Sequence, residues 1–427
     1  MSQFAADLHI HSRFCGLSSL QMSVSDLLVW AQRKGIDLLG TGDFTHPGWL
    51  EELTEHLDWD GSGFLRPKNG SGIRFVLTAE FKAVFAIGER QAEVHLLLTA
   101  RDLEDVERLR KRLAPSTDFS LEAIPTFQMP AAELVERILS ASPESYVIPV
   151  HIWSPCSAVY GSKFGFHSLQ ECFGSVSNQI HAVETGLSSD PGMCWRISDL
   201  DGRRLLSASD AHEPRSLARE YTLFEGELSY GGLGKALKGL PGTIIKGTVE
   251  QVSELGSHFF NGHRECQIAK SPIETHFEGR RCPACRKELT IGSFQRMLEI
   301  ADRPPEDLDI TEERGWIRSR CRNLPPFRRM IPLHLIIAAT YGVRARESQT
   351  VDRLYNAAVS GGTTERQILL ELSETELQTL VGQQVAEGIA RVREGYFRIS
   401  PGYDGVCGQL EIFEESETAE LLQMKLF

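Results

Sequence analysis

The 427-residue chain contains no run approaching the roughly 18 consecutive apolar residues of a membrane span, its longest candidates being short stretches such as residues 333–339. No membrane partner is expected. The start, MSQFAADLHIHS, lacks a basic segment followed by an apolar one, so no secretory signal is read and a cytoplasmic location is expected. Positive charge is in deficit: 45 Lys and Arg against 58 Asp and Glu leave a formal charge of −13. That excludes a protein coated in basic surface that holds nucleic acid by charge alone, so any such contact must be local. The nine cysteines form an odd set with a single CxxC, which is not a disulfide framework. Internal repeats and low-complexity segments are missing too. What remains is globular, with 41% hydrophobic and 24% charged residues, and its length suggests two to four domains at roughly 100–200 residues each.

From Asp7 to about residue 248, apolar strand-like runs at 36–43, 74–81, 93–100, 146–153, 179–186 and 203–212 alternate with helix-patterned stretches such as SVSDLLVWAQRK and AAELVERILSA. This alternation predicts a parallel β/α architecture, with chemistry gathered at the C-terminal ends of the strands. From 249 to 330 short turns, an HxxC, a CxxC and many arginines mark a separate module; residues 260–330 hold fourteen Lys or Arg against eleven Asp or Glu. Residues 331–398 read as a small helical domain, with Ser373 to Glu376 fitting a capping box. Residues 399–427 read as turn, strand and an acidic tail, solvated as a helix or disordered.

In a strand, alternate residues share one face, so Asp7, His9 and His11 are expected to point the same way. Burying such polar side chains costs several kcal/mol unless a compensating charge is present, most simply a metal ion. Asp210 and His212 repeat the i, i+2 spacing. His95 and His151 lie in otherwise apolar runs, while Asp43, His46 and Glu80 follow or end such runs. A single histidine in a strand is ordinarily a packed or surface residue, and a lone Asp after a strand is ordinarily a helix cap. Together the set supplies nitrogen and oxygen ligands for two or three clustered divalent metals.

His263, Cys266, Cys282 and Cys285 have the paired spacing of a zinc ribbon or knuckle in which one His replaces a Cys, and four ligands make a closed structural site. CPAC alone could be redox-active, but the strand followed directly by a long helix is lacking. His258 and His276 are alternative nitrogen ligands.

DLHIHS, TGDFTHPGW, Glu80, EVHLLL, PVHIW and SDAH resemble the successive metal-ligand motifs of the polymerase and histidinol phosphatase (PHP) domain. More narrowly, ADLHIHSRF, GTGDFTHPGWL, HIWSP, GFHSLQECF, AVETGLSSDPGMCWRISDLD, SDAHEPRSLARE and PGYDG are similar to the endonuclease Q family, nearly end to end. The resemblance implies an α/β fold: a distorted seven-stranded β/α barrel, residues 1–248, followed by a zinc-binding module, 249–330, and a small helical domain, 331–398. It further implies a metal-dependent endodeoxyribonuclease of DNA repair, cutting 5′ of deaminated bases (uracil, hypoxanthine, xanthine) or abasic sites, with DNA carrying base lesions as partner. His9, His11, Glu80 and Asp210 would hold one metal pair with Glu80 bridging, and His46, His95, His151 and His212 would complete the cluster. Asp7 would orient a histidine, Asp43 would do that or bind metal, and Arg219 would touch a phosphate or pair with an acid.

Zn2+ is the expected structural ion and a candidate for the catalytic cluster, where Mg2+ or Mn2+ would also serve. Arg280, Arg281, Arg286, Lys287, Arg318, Arg320 and Arg322 are candidate phosphate contacts, and Trp316, Phe327 and Tyr341 candidate stacking residues. Loops carrying Trp153, Phe164, Phe166, Met193 and Trp195 are candidate walls of a pocket for a flipped base. The chain departs from the family pattern at residues 112–130, at 154–162 and at Ala208, where lesion preference is expected to diverge. Two other functions compete: a PHP-type phosphoesterase for a small phosphorylated metabolite, and a non-catalytic DNA-binding repair protein. A sliding clamp is a candidate partner, though no clamp-binding peptide is recognised.

Overall fold

The computed structural model describes residues 2–322, 324–343 and 348–414; the acidic tail lies, from residue 415, outside them. The strand Ser2–Asp7 pairs in parallel with Leu38–Gly40, which pairs in parallel with Arg74–Ile87. Between the first two runs the helix Val24–Lys34, whose Ser23 cap accepts from the Asp26 N–H, ends at Gly35 in the left-handed region. Up to here the architecture is the expected β/α alternation.

It then changes hand. Arg74–Ile87 and Arg90–Ala100 form a long antiparallel hairpin, and Val147–Pro149 adds antiparallel to its second strand. Two residues between the hairpin strands leave no room for a crossover helix, so the parallel expectation fails there. Ala182–Glu184 and Arg204–Leu206 pair in parallel with each other alone among the described residues.

The pairing therefore does not close into the expected seven-stranded barrel; it forms an open, branched central sheet with a separate two-stranded piece. The strands on the unclosed side are three residues long, and isolated hydrogen bonds replace ladders: Ile152 N–H to the Glu184 carbonyl at 3.2 Å, and Asp210 N–H to the His9 carbonyl and His11 N–H to the Ala211 carbonyl, both at 2.9 Å. Even so, Phe4, Ala6, Leu8, Leu38, Val76, Leu97, Ile148, Val150, Ala182, Leu206 and Phe224 meet in one inner core. The candidate site lies beyond its end, where these strands finish.

Tyr221–Gly226 pairs antiparallel with both Ser2–Asp7 and Ile244–Gln251. Ile244–Gln251 crosses the expected division at 248 and continues the sheet through Phe327–Met330, Trp316–Ser319 and Ile310–Glu313. The helices Leu333–Thr340, Gln349–Val359, Glu365–Leu370, Glu374–Val381 and Gln383–Glu394 follow, with the Ser373–Glu376 capping box formed as read. Lys34 Nζ lies 2.7 Å from Glu365 Oε2, both side chains buried, and ties the first helix to these last ones. No helix among the described residues is long and apolar enough to cross a membrane.

Candidate functional site

The first strand ends at Asp7, so His9 and His11 lie just beyond it, where Ile10 forms a parallel bridge with Ala211. All three side chains are buried nonetheless. Asp7 accepts from the Ser209 and Ala218 N–H groups, both at 2.9 Å, so its role is to hold the neighbouring loop. Burial raises its carboxyl to about 6 against those hydrogen bonds.

Glu80 is the hub. Its Oε2 lies 3.1 Å from His11 Nε2 and 3.6 Å from His9 Nε2, and Asp210 Oδ1 lies 3.3 and 3.7 Å from the same two nitrogens. Its Oε1 faces His95 Nδ1 at 2.6 Å and His151 Nε2 at 3.2 Å. One carboxylate thus touches two groups of ligand atoms. Despite its burial, the surrounding imidazoles, His95 foremost, hold Glu80 well below the ordinary carboxylate range. Reciprocally, Glu184 and Asp210 raise His9, Asp210 and Asp43 raise His11, and Glu80 raises His95 to about 9, each against the opposing effect of burial.

The 3.3–3.7 Å separations of His9 and His11 from Asp210, and of His9 from Glu80, fit donors sharing a metal ion better than hydrogen bonds, whereas His95 and Glu80 at 2.6 Å are hydrogen-bonded. With bonds of about 2.0–2.2 Å, donor atoms around one tetrahedral zinc stand roughly 3.3–3.6 Å apart. His9 Nε2, both His11 nitrogens and His151 Nδ1 are buried without a hydrogen-bond partner among the described residues, a costly state that an ion would relieve for those facing it. His9, His11 and Glu80 form one group able to hold an ion, and Glu80, His95 and His151 another.

The backbone is bent to make this centre. Asp43, His151 and Asp210 occupy the left-handed region, with φ of 44°, 33° and 48°, which non-glycine residues seldom adopt. Gly186 gives His151 its space: a Cβ there would stand 2.6 Å from His151 Cα.

Other expected residues fall differently. Asp43 accepts from Ser12 N and Ser12 Oγ and lies 3.5 Å from His11 Nδ1, an arrangement that orients His11. The His212 ring lies 4.2 Å from that of His11, tilted by 31°, and groups with it and Cys15, whose thiol these histidines bring down to about 7 despite burial. Arg219 donates to the Ser209 and Asp210 carbonyls, bracing the Asp210 turn. His46 is not brought to the cluster: it caps the helix Pro47–His56 through the Trp49 N–H, and its Nε2 faces the Ser120 carbonyl at 3.3 Å. The Pro47 that follows it, at the first helical position, explains this.

Sequence reasoning missed Glu184 and Cys15. Glu184 is buried, with Oε2 2.9 Å from His9 Nδ1 and Oε1 accepting from the His151 N–H at 3.2 Å. A lone carboxylate ending an apolar run was the available signal.

His263, Cys266, Cys282 and Cys285 do converge, with Cys285 Sγ 3.7 Å from His263 Nδ1, close to the roughly 3.6 Å expected across a zinc ion. Backbone N–H groups of Cys285 and Ala284 hold the Cys282 thiol below its ordinary value against burial. His258 and His276 are not in this group.

Among the candidate DNA contacts, Arg281, Arg318 and Arg320 are exposed, and Arg280 is exposed but pairs with Glu299 at 2.7 Å. The candidate aromatic walls are mostly core: Trp153 packs on Tyr160, Phe166 on Phe85 and Trp195 on Phe327, leaving Phe164 exposed.

Fold and centre together define an α/β chain that carries a histidine and carboxylate cluster where its inner strands end. No family model matches it. YqxK, an uncharacterized protein of Bacillus subtilis, is 27% identical over 429 residues, covering 96% of this chain and all of that one. The lesion-specific endonuclease PfuEndoQ of Pyrococcus furiosus matches in structure with a TM-score of 0.80 and 27% identity, covering 100% of this chain and 99% of that one. A structure of endonuclease Q with a 27-mer duplex substrate, an abasic lesion at its active site, matches with a TM-score of 0.83 and 28% identity over 97% and 98% of the two chains. The chain is a member of the endonuclease Q family.

Proposed function

We propose that this protein is a metal-dependent DNA repair endonuclease that hydrolyses the phosphodiester 5′ of a deaminated base or an abasic site. The observation that carries the reading is the Glu80-centred cluster in a chain that matches a lesion-specific endonuclease along its length. His9, His11, Glu80 and Asp210 hold one ion, and Glu80, His95 and His151 a second. When bound, such ions supply a nucleophile near neutral pH and positive charge against the phosphoryl oxygens. The chain's own part is to fix geometry: Glu184 and Asp43 orient His9 and His11, Arg219 braces the Asp210 turn, and the partly exposed Asp210 and His212 leave the centre open to a phosphate on one side.

His263, Cys266, Cys282 and Cys285 hold a structural Zn2+, because three soft thiolates select zinc over Mg2+ or Mn2+. Zn2+ also suits the imidazole-rich catalytic cluster, while its carboxylates suit Mn2+ or Mg2+. Arg281, Arg318 and Arg320, exposed on the segment that carries the zinc ligands, reach DNA phosphates, and Arg280 joins them by exchanging Glu299 for a phosphate. The divisions at 330 and 398 stand as part of this proposal, with the first boundary moved from 248 to beyond the strand that ends at Gln251, as do the cytoplasmic location and a sliding clamp as protein partner.

The test is incubation of the pure protein with end-labelled duplexes carrying uracil, hypoxanthine, xanthine or an abasic site, beside an aryl phosphate. Nicking 5′ of the lesion is expected. Hydrolysis of the aryl phosphate with every duplex intact would point to a metabolite phosphoesterase, and lesion binding with no hydrolysis to a non-catalytic repair protein.

A further inference from the structure

Four cysteines are buried among the described residues. Cys172 and Cys194 pack into the apolar core, and Cys282 belongs to the group with His263, Cys266 and Cys285. Cys15 does neither. It is 3% exposed, yet it lies outside the apolar core clusters, and its sulfur groups instead with a ring nitrogen each of His11 and His212, all within 4.8 Å of one another. A buried thiol is ordinarily a small apolar filler, and here its surroundings are imidazole.

The backbone holds this group in place. The His11 N–H donates to the Ala211 carbonyl at 2.9 Å and the Ser19 N–H to the His212 carbonyl at 2.7 Å, so two hydrogen bonds, one before Cys15 and one after it, tie this segment to residues 211–212. Between them the Cys15 N–H donates to the Ser12 carbonyl at 3.1 Å, and its own carbonyl accepts from the Ser18 N–H at 2.8 Å. Gly16 passes so close to the Glu122 carbonyl oxygen that a Cβ would stand 2.6 Å from it. Both ring nitrogens of His11 are buried without a hydrogen-bond partner among the described residues, so no hydrogen bond to the thiol explains the grouping.

Resting on the metal-dependent reading above, we infer that Cys15, as a thiolate, is a ligand of a further ion at this centre. His212 is its companion ligand, and His11 borders both this ion and the Glu80 group. Zinc binds nitrogen and sulfur donors at about 2.0–2.3 Å, so an ion among donors within 4.8 Å of one another needs only small side-chain adjustments. His46, expected to complete the cluster, caps a helix instead, and Cys15 makes good the missing donor. A thiolate is soft, so this position selects zinc over Mg2+ or Mn2+ whatever the carboxylate-rich positions take. At most three protein donors leave a tetrahedral ion one open position, and the His212 side chain, 30% exposed, marks the side from which water or a phosphate oxygen reaches it.

The experiment loads the full-length protein, its Cys15→Ser variant and its His212→Ala variant with Co2+ under reducing conditions and removes free ion by dialysis. Bound metal and the thiolate-to-cobalt absorption in the near ultraviolet are then read in the same samples. Three of the four ligating thiolates of the wild type are Cys266, Cys282 and Cys285, so Cys15→Ser should lose about a quarter of that absorption and about one ion per chain. His212→Ala keeps the thiol, changes a partly exposed side chain, and should lose the same ion and the same quarter. The absorption that remains shows the cysteine module intact in each variant. Wild-type absorption in Cys15→Ser, or in His212→Ala, would overturn the assignment. A wild type that binds only the single structural ion would instead refute the metal cluster itself, and with it the inference.

Discussion

Replacing Glu184 by Gln should weaken metal binding at the catalytic cluster while leaving the cysteine site intact. The carboxylate serves two donors at once, His9 Nδ1 at 2.9 Å and the His151 N–H at 3.2 Å, so it orients residues in both ligand groups. A glutamine of the same shape has one oxygen and one NH2, so one of the two donors must face another donor. Losing a buried hydrogen bond to a charged acceptor costs about 1.5–3 kcal/mol, which matches the roughly 10–100-fold loss of metal affinity found when a carboxylate behind a ligating histidine is removed. Competition against a chromophoric chelator reads the affinity, and metal analysis after dialysis separates the two kinds of site. Retention of wild-type affinity and cleavage rate in Glu184→Gln would refute the claim that this residue positions His9 and His151.

Metal binding to the cluster should also depend on pH. In the metal-free protein His95 is raised to about 9 by Glu80, so below that pH binding must displace its proton, and apparent affinity should climb as pH rises from about 7 to about 9; calorimetry in buffers of different ionisation enthalpy should register the released protons. The same raised value means that the His95–Glu80 pair stabilises the metal-free fold fully below about pH 6.5 and loses that contribution as pH rises through about 9, a trend that urea melts should show and Glu80→Gln should remove. Lys34→Met should cost about 3 kcal/mol, at the lower end for breaking a buried ion pair because Glu365 keeps the Tyr355 hydroxyl and the Leu333 N–H; adding Glu365→Gln should recover at least half, and a single variant within about 1 kcal/mol of wild type would show the pair to be dispensable. Cys282→Ser should release the structural zinc and lower stability while the cluster metals stay, which metal analysis and thermal melts would register together.

Much of the centre was legible because its chemistry leaves marks that local structure cannot explain. Asp7, His9 and His11 at alternate positions, and Asp210 with His212, break apolar runs that would otherwise be plain core, and the structure brings His9, His11, Asp210 and His212 together with Asp7 holding the loop behind them. The helices over 24–34 and 131–141 were readable from apolar periodicity, and both form over those residues. His46 was placed in the cluster because it follows an apolar run and its TGDFTHPGW segment resembles a metal-ligand motif, whereas a His directly before Pro at a helix start is equally a cap. The hairpin over 74–100 was hidden in a count of strands that passed over the missing helix between them. Glu184 carried too weak a signal: one acid in a short run, whose partner His9 is 175 residues away in the chain. Closure of the barrel was not decidable from pattern, since it depends on three-residue strands interrupted by the left-handed residues His151 and Asp210 that carry the site.

The central claim is that the Glu80-centred cluster holds the ions that cut DNA. It is tested most directly by single-turnover cleavage of an abasic duplex by wild type and Glu80→Gln, with the metal content of each protein measured in the same samples. Wild type is expected to nick the strand 5′ of the abasic site and to carry cluster metal beyond the single structural zinc. Glu80→Gln should retain that zinc, lose metal from the cluster and cut at least about a thousandfold more slowly, since the Glu80 carboxylate belongs to both groups that would hold an ion. A Glu80→Gln protein that cuts at the wild-type rate, or a metal-loaded wild type that leaves the abasic duplex whole, would contradict the account.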